Sequence, residues 1–318
     1  MHRETRWRSV CSLVLGIAVV IALPASGWAH GVVGKRWFPS TIVVEDSFVS
    51  DEAAITAGHR REPEALTTDF DAEISKRLSP DLAITLGGSY HIIRPRGDAV
   101  EEEGATSGFD NPEFGLRYQF IRNALHEVAA TAALRVSPGG VGQRRVGRLS
   151  GTTVSPALQI GKGFGDLPDW ADWFKPIAVT TSVGFDLRAN RNEREEDAQH
   201  AFTWGVAVMY SIPYLQSFVR DVGIPWPFNR LFPVVEFNGE TLISGPDKGK
   251  HTAFANPGLV WAGKYFELAA SAQIPLNDTV GRHTGALVML HVFLDDIAPD
   301  IFTWTPFHGV LGPQTLPR

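Results

Sequence analysis

The sequence predicts an all-β fold, a single antiparallel transmembrane β-barrel of about 12 strands with short periplasmic amphipathic helices. Three observations support this prediction. The chain begins with the pattern of a secretory signal peptide, most of the remainder alternates between apolar and polar residues, and the links between the alternating segments are short and long in turn.

The first 29 residues predict a secretory signal peptide. Basic residues precede an apolar run over 10–23, and the small residues Gly27 and Ala29 follow it. The run is shorter than the roughly 20 apolar residues of a transmembrane helix, although an uncleaved anchor is the alternative. Cleavage after Ala29 would leave no cysteine, because Cys11 is the only one in the chain. We therefore expect no disulfide and no thiol chemistry in the mature protein.

Charge narrows the possible classes of protein. The whole chain has a formal net charge of −6, and removal of three arginines and one glutamate with residues 1–29 lowers it to −8. An acidic exported chain is not expected to bind nucleic acid, which requires clustered cations. No later segment has the length and composition of a transmembrane helix. A soluble exported protein and an outer-membrane barrel remain.

The body of the chain alternates with a period of two. In the stretch "DLAITLGGSYHII", for example, the larger apolar residues Leu82, Ile84 and Leu86 are separated by smaller ones, as in a strand with two different faces. The runs are about 10–13 residues long, which exceeds the usual 5–6 of soluble strands and matches membrane-spanning strands. About eleven such runs are predicted, near 68–78, 81–93, 110–121, 126–136, 152–162, 176–188, 200–212, 231–243, 253–263, 264–275 and 283–294.

A bacterial barrel normally has an even number of strands. We therefore predict a twelfth strand near 40–50, "STIVVEDSFVS", followed by a long loop that begins at residue 51. Ten strands is the alternative, if the runs 231–243 and 253–263 are not strands.

The polar face of each run should line the lumen, because apolar side chains of a membrane barrel face lipid. Twelve strands enclose a modest lumen, which ion pairs would narrow further. The predicted lumen-lining residues are Asp71, Glu73, Glu113, Arg117, Glu127, Arg135, Glu236, Asn238, Glu240 and Glu267.

The links alternate in length, as expected for short periplasmic turns and longer extracellular loops. Two links on the short side, 165–176 and 213–230, carry aromatic and apolar residues at helical spacing. We interpret both as periplasmic helices at the membrane interface, where Trp and Phe are favoured. Packing beneath a soluble barrel is the alternative.

The chain is accordingly divided into four parts. Residues 1–29 form the signal peptide, and 30–65 an N-terminal segment with the possible first strand. Residues 66–295 form the barrel, and 296–318 a periplasmic C-terminal tail.

Several stretches are distinctive: "HGVVGKRWFPSTIVVEDSFVSDE" (30–52), "GKGFGDLP" (161–168), "YSIPYLQSFVRDVGIPWPFNRLFPVVEF" (210–237), "NPGLVWAGKYFELAASAQIP" (256–275) and "HVFLDDIAPD" (291–300). On these stretches the chain resembles a family of proteobacterial outer-membrane proteins related to the transporter-like barrels of the phenol-degradation (MetA-pathway) group. The resemblance implies an outer-membrane location and the passage of small, hydrophobic compounds. One departure is the end of the chain, because many barrels stop at a terminal aromatic whereas this one continues beyond Leu294.

Motifs for catalysis are sparse. Ser89 and His91 share one strand face, but no Asn or acid lies close by in sequence to orient the histidine. The sequence has no Gly-x-Ser-x-Gly, His-Glu-x-x-His, phosphate-loop or EF-hand motif. We predict that the protein is not an enzyme and has no cofactor. One metal hypothesis remains: a mature N-terminal His30 offers an amine and an imidazole that suit copper, with His59 or His91 as a further ligand.

The leading functional hypothesis is a porin-like channel or passive transporter for a small solute in the outer membrane of a Gram-negative cell. The expected partners are outer-membrane lipid and that solute, and the oligomeric state is not predicted. The alternatives are a structural or partner-binding barrel without transport, and a soluble periplasmic β-protein.

Overall fold

The computed structural model describes residues 31–62, 64–96, 104–147, 149–189 and 199–307. The predicted signal peptide, His30 and the last eleven residues lie outside these ranges. Within the described part, no helix combines the length and hydropathy needed to span a bilayer.

Twelve antiparallel strands form the barrel. They are β1 (Glu52–Arg61), β2 (Ala65–Ser79), β3 (Leu82–Pro95), β4 (Thr106–Phe109, continuing as Glu113–Asn123), β5 (Val128–Ser137), β6 (Thr153–Gly163), β7 (Ile177–Arg188), β8 (Ala201–Tyr210), β9 (Leu231–Leu242), β10 (His251–Ala262), β11 (Phe266–Pro275) and β12 (Gly285–Phe293). The two parts of β4 pair with β3 one after the other, so they count as one strand. Pairing of β12 with β1 closes the barrel, with Phe293 opposite Glu52.

The first strand is not where the sequence placed it. All eleven predicted runs are strands, including those at 231–243 and 253–263, and the strand number of twelve is confirmed. The prediction of a strand near 40–50 is wrong, because β1 lies within the stretch that was assigned to a loop. Ile55 is the single large apolar residue of β1, so its alternation is too weak to be recognised from hydrophobicity alone.

The two faces of the wall are inverted relative to a water-soluble barrel. Leu116 on β4 is 43% exposed on the outside, whereas its neighbour Arg117 is 7% exposed inside. The same order recurs on β11, where outward Leu268 is exposed and Glu267 is buried. This arrangement is that of a barrel whose outer surface contacts hydrocarbon.

The two ends of the barrel differ. At one end, called the short-turn end, tight turns such as 80–81 and 124–127 join β2 to β3 and β4 to β5. At the other, the long-loop end, links such as 138–152 and 243–250 are longer. The link from β1 to β2, residues 62–64, is short although it lies at the long-loop end. The long loop predicted to begin at residue 51 is mostly strand.

Short helices lie at the short-turn end. Asp169–Phe174 is a 3₁₀ segment with Trp170 86% exposed, so its aromatic face is not packed into a core. In the second link, helix Ile212–Tyr214 continues as Leu215–Val219 and then stops. This helical part of the link 213–230 therefore ends at Val219, and Gly223 and two prolines follow in the rest of the link. The remaining short helices are Arg144–Val146 and Asp278–Val280 at the long-loop end, and Phe228–Arg230, Leu294–Ile297 and Pro299–Phe302 at the short-turn end.

Residues 31–51, the plug segment, fill the interior at the short-turn end. A small hairpin pairs Val32–Val33 with Arg36–Trp37, after which the chain enters the lumen, turns at residues 42–45 and returns to β1. Phe38, Val44 and Phe48 are buried there in a cluster with apolar residues of the wall. The region predicted as a strand is therefore a buried loop.

Candidate functional site

Arg36 fastens the plug segment at the short-turn end. Its side chain is fully buried, with Nε 3.1 Å from Glu127 Oε2, and Nη1 and Nη2 donate to the carbonyls of Pro176 and Lys175. The guanidinium carbon lies 3.8 Å from the ring centroid of Tyr214. Burial lowers the pKa of Arg36, and the carboxylate of Glu127 partly compensates. Arg36 therefore holds the plug segment through an ion pair, two hydrogen bonds and a contact with an aromatic ring.

The β4–β5 side of the wall binds the backbone of the plug segment. Arg117 Nη2 donates to the Asp46 carbonyl at 2.7 Å and to its carboxylate at 3.0 Å. Gln119 Nε2 and Thr131 Oγ1 both donate to the carbonyl of Ser47, at 3.0 and 2.6 Å. Inward polar side chains thus satisfy carbonyls that a buried loop would otherwise leave without partners.

Glu236 on β9 holds the turn of the plug segment. Its Oε1 accepts the backbone N–H groups of Val43 and Val44 at 2.8 Å each, and its Oε2 accepts that of Ile42 at 3.3 Å. Successive N–H groups that converge in this way form an anion-binding nest. Glu236 is fully buried, and within the described residues backbone amides, not a cation, surround its charge.

Residues on β11 and β12 make a further contact with the plug segment. The Ser40 amide donates to Glu267 Oε2 at 2.9 Å, and the Ser40 hydroxyl lies 3.3 Å from His291 Nε2. His291 Nε2 is also 3.2 Å from Glu52 Oε2. The plug segment is thereby attached to wall strands on opposite sides of the barrel.

Above the turn, toward the long-loop end, the lumen is open. Two adjoining cavities of about 380 and 450 Å³ share the lining residues Val43, Glu45, Glu73 and Arg135. We call this space the vestibule. The plug segment forms its floor, so the vestibule does not continue freely to the short-turn end.

Arg135 is at the centre of the vestibule floor. It donates to Glu45 of the plug segment through Nη2, and its Nε lies 3.4 Å from Glu113 Oε2. Gln159 Nε2 donates to the other oxygen of Glu45. Burial alone would raise the pKa of Glu45, but Arg135 and Arg117 outweigh it and lower the pKa below its ordinary value.

The structure divides the sequence-predicted lumen residues into three groups. Those that line the vestibule are Asp71, Glu73, Glu113, Arg117, Arg135, Asn238 and Glu240. Glu236 and Glu267 lie deeper and bind the plug segment, as does Arg117. Glu127 occupies the turn before β5, with a positive φ of 48°, and pairs there with Arg36 of the plug segment.

Sequence reasoning missed the plug segment and its contacts on the wall. The strand register around Glu236 contains one signal of a missing partner. Glu236 lies opposite Ala207 on β8 and Asn256 on β10, so neither neighbouring strand supplies a cation to an inward carboxylate. A buried carboxylate without a partner in its own sheet requires one from elsewhere in the chain.

The serine and histidine of β3 do not form a catalytic pair. His91 Nδ1 lies 2.6 Å from Asp69 Oδ1, so the orienting acid that seemed to be missing comes from the adjacent strand β2. Ser89, however, donates to Asp71 at 2.6 Å and makes no hydrogen bond to His91 among the described residues. That the protein is not an enzyme stays a prediction.

The copper hypothesis is not tested by the structure, because His30 lies outside the described residues. Of its suggested partners, His59 contacts Thr68 and His91 contacts Asp69. Across the described residues, no group of three or more His, Cys, Asp or Glu side chains is arranged to hold a metal ion.

A closed antiparallel barrel with an apolar outer face and a polar interior has the fold of outer-membrane barrel proteins. Among solved structures, the chain is similar to an outer-membrane channel from Pseudomonas putida F1, with a TM-score of 0.51 and 10% identity over 85% of this chain and 99% of that one. The NanC porin has a TM-score of 0.47 and 8% identity, covering 76% and 98%. The KdgM porin has 0.40 and 12%, covering 75% and 98%.

No protein-family model and no curated protein sequence matches the chain. The likeness to solved structures therefore concerns the fold. The finer resemblance to the phenol-degradation group stays a prediction.

Proposed function

We propose that the protein is an outer-membrane channel for a small solute, with a lumen that the plug segment closes. This proposal rests on the vestibule, because a single loop, the plug segment, forms its floor.

The contacts of the plug segment support a displaceable closure. Apart from the apolar contacts of Phe38, Val44 and Phe48, they are hydrogen bonds and ion pairs between the plug segment and inward side chains, without continuous strand pairing to the wall. Each such contact contributes about 1–3 kcal/mol net, because water replaces it when the loop moves. Every strand of the barrel wall pairs with both of its neighbours, so the ring of strands is closed by wall strands alone.

The lining of the vestibule favours a polar solute. Carboxylates, Arg135, serines and threonines line the cavities together with apolar residues such as Val43 and Phe254, so charged groups and apolar surface alternate around the vestibule. This differs from the hydrophobic solute that the family resemblance implies. A channel interior that exchanges hydration water for fixed polar groups selects polar solutes of matching charge.

The test is reconstitution of the mature chain into planar bilayers, after folding has been verified by its altered gel mobility without boiling. We expect brief stepwise conductance from a mostly closed state. Liposome swelling with small sugars, amino acids and aromatic hydrocarbons then distinguishes polar from hydrophobic solutes. A folded barrel that gives neither steps nor swelling would overturn the proposal.

A barrel without transport is the second candidate, and the buried plug segment is the observation that favours it. In that case the segment is a permanent part of the core. Such a barrel would give no conductance even when the contacts of Glu236 and Arg117 are removed.

A further inference from the structure

We propose that the vestibule floor binds a small zwitterion, a molecule with one carboxylate and one ammonium group. The carboxylate of Glu45 occupies the ligand's carboxylate position in the plugged state. This inference rests on the proposed channel function for the ligand's role as solute, but the binding site itself is argued from the vestibule.

The carboxylate half of the site is already occupied by a carboxylate. Glu45 belongs to the plug segment, and its two oxygens accept from Arg135 and Gln159 of the wall. Gln159 is fully buried and Arg135 faces both cavities. A guanidinium and an amide N–H that converge on one carboxylate form a directional recognition element, and a carboxylate ligand of the right size can replace Glu45 there.

The ammonium half lies on the neighbouring strands. Glu73 on β2 and Glu113 on β4 are both in register with Gly87 on β3, which lies between them. Because Gly87 has no side chain, no side chain of β3 stands between Glu73 and Glu113 at this level. A side-chain carbon at Gly87 would lie 3.7 Å from Glu113 Cβ.

Glu73 is the residue that is ready to take a cation. It lines both cavities, and among the described residues it has no hydrogen bond and no ion pair. Glu113 shares Arg135 with Glu45. Arg117, the other arginine of the vestibule, is paired with Asp46 of the plug segment. Arg135 is therefore shared by three carboxylates, and an ammonium group near Glu73 and Glu113 would balance the excess of negative charge.

The two halves together select against singly charged solutes. An anion that replaces Glu45 on Arg135 would be repelled by Glu73 and Glu113, whereas a cation would leave the Arg135–Gln159 half occupied by Glu45. Only a ligand with both charges satisfies both halves at once. Such a ligand also releases Glu45 and so removes one of the contacts that hold the plug segment.

The experiment is calorimetric titration of the folded, full mature chain in detergent. The probes are 4-aminobutanoate and 6-aminohexanoate as zwitterions, with butanoate and butylamine as singly charged counterparts. We expect one of the zwitterions to bind about tenfold or more tightly than either counterpart. Glu45→Gln should tighten zwitterion binding, and Glu73→Gln should weaken it about tenfold. Asp278→Asn, in an exposed link, is the matched control and should change nothing.

Equal binding of butylamine and the zwitterions, tighter binding of butanoate, or no binding by any probe would overturn the inference. Weaker zwitterion binding by Glu45→Gln would also contradict it, because Glu45 would then be part of the site and not a substitute for the ligand. Binding in detergent does not depend on conduction. A chain that binds zwitterions but never conducts would refute the proposed channel and leave this site in place.

Discussion

Val44 of the plug segment fills the space beside Gly205 on β8. A Cβ atom at Gly205 would lie 3.6 Å from Val44 Cβ and 3.0 Å from Val44 Cγ2. The Cβ–Cβ separation of disulfides averages about 3.8 Å, so the two positions can be linked without moving the backbone.

The double variant Val44→Cys, Gly205→Cys should therefore lock the plug segment by a disulfide. The predicted mature chain has no other cysteine, so no competing pair can form. Under oxidising conditions we expect conductance to fall to the background of empty bilayers, and reduction should restore it. Single cysteine variants are the controls, and steps that persist in the oxidised double variant would exclude movement of the plug segment at this point.

Replacement of Glu236 by Gln should loosen the turn of the plug segment. A glutamine keeps one acceptor oxygen, which can serve Val43 and Val44, but its NH2 group then faces the backbone N–H of Ile42, which loses its acceptor. The expected cost is about 1.5–3 kcal/mol, which raises the open fraction about tenfold or more. Bilayer recording and protease cleavage of the N-terminal segment measure this. Glu240→Gln, four residues along on the same face, should leave both readouts unchanged; if it has the same effect, general loss of lumen charge is responsible.

Arg36→Ala should release the N-terminal hairpin at the short-turn end. The substitution leaves Glu127, only 3% exposed, with an uncompensated charge, and the expected cost is about 3–5 kcal/mol. We expect rapid proteolysis before residue 52 while the barrel keeps its unboiled gel mobility. Arg36→Lys should restore little, because an ammonium group cannot reach both carbonyls and Glu127 together. The exposed Lys35→Ala is the neutral comparison, and equal cleavage in both would show that Arg36 does not hold the hairpin.

Leu116→Arg tests the outer face. Leu116 lies between Ile84 and Leu134 on adjacent strands, and all three are more than 40% exposed. An arginine near the middle of the hydrocarbon costs about 2–4 kcal/mol, so less folded barrel should be recovered in lipid vesicles. Thr131→Ala is the control, because it removes a hydrogen bond to the plug segment inside the barrel and leaves the lipid-facing surface unchanged. Improved recovery of Leu116→Arg without detergent would mean that this face contacts water.

The strand pattern could be read from the sequence because alternation is a local property. The period of two in β3 or β8 follows from which side chains point to lipid and which to the lumen, and neither depends on distant residues. The short and long links follow in the same way from turn residues. β1 escaped recognition because Ala and Gly on both faces leave little hydrophobic contrast.

The plug segment was decided by tertiary structure alone. The sequence by itself determined a barrel with a polar interior and eleven of its twelve strands, since each of those eleven carries its own facing pattern. It did not determine what fills that interior. The amide of Val44 and the carboxylate of Glu236 are separated by 192 positions in the chain, and only closure of the barrel brings them within 2.8 Å. A loop that is stabilised by side chains of many strands has no periodicity of its own, because its hydrogen-bond partners come from the wall and not from its neighbours in sequence.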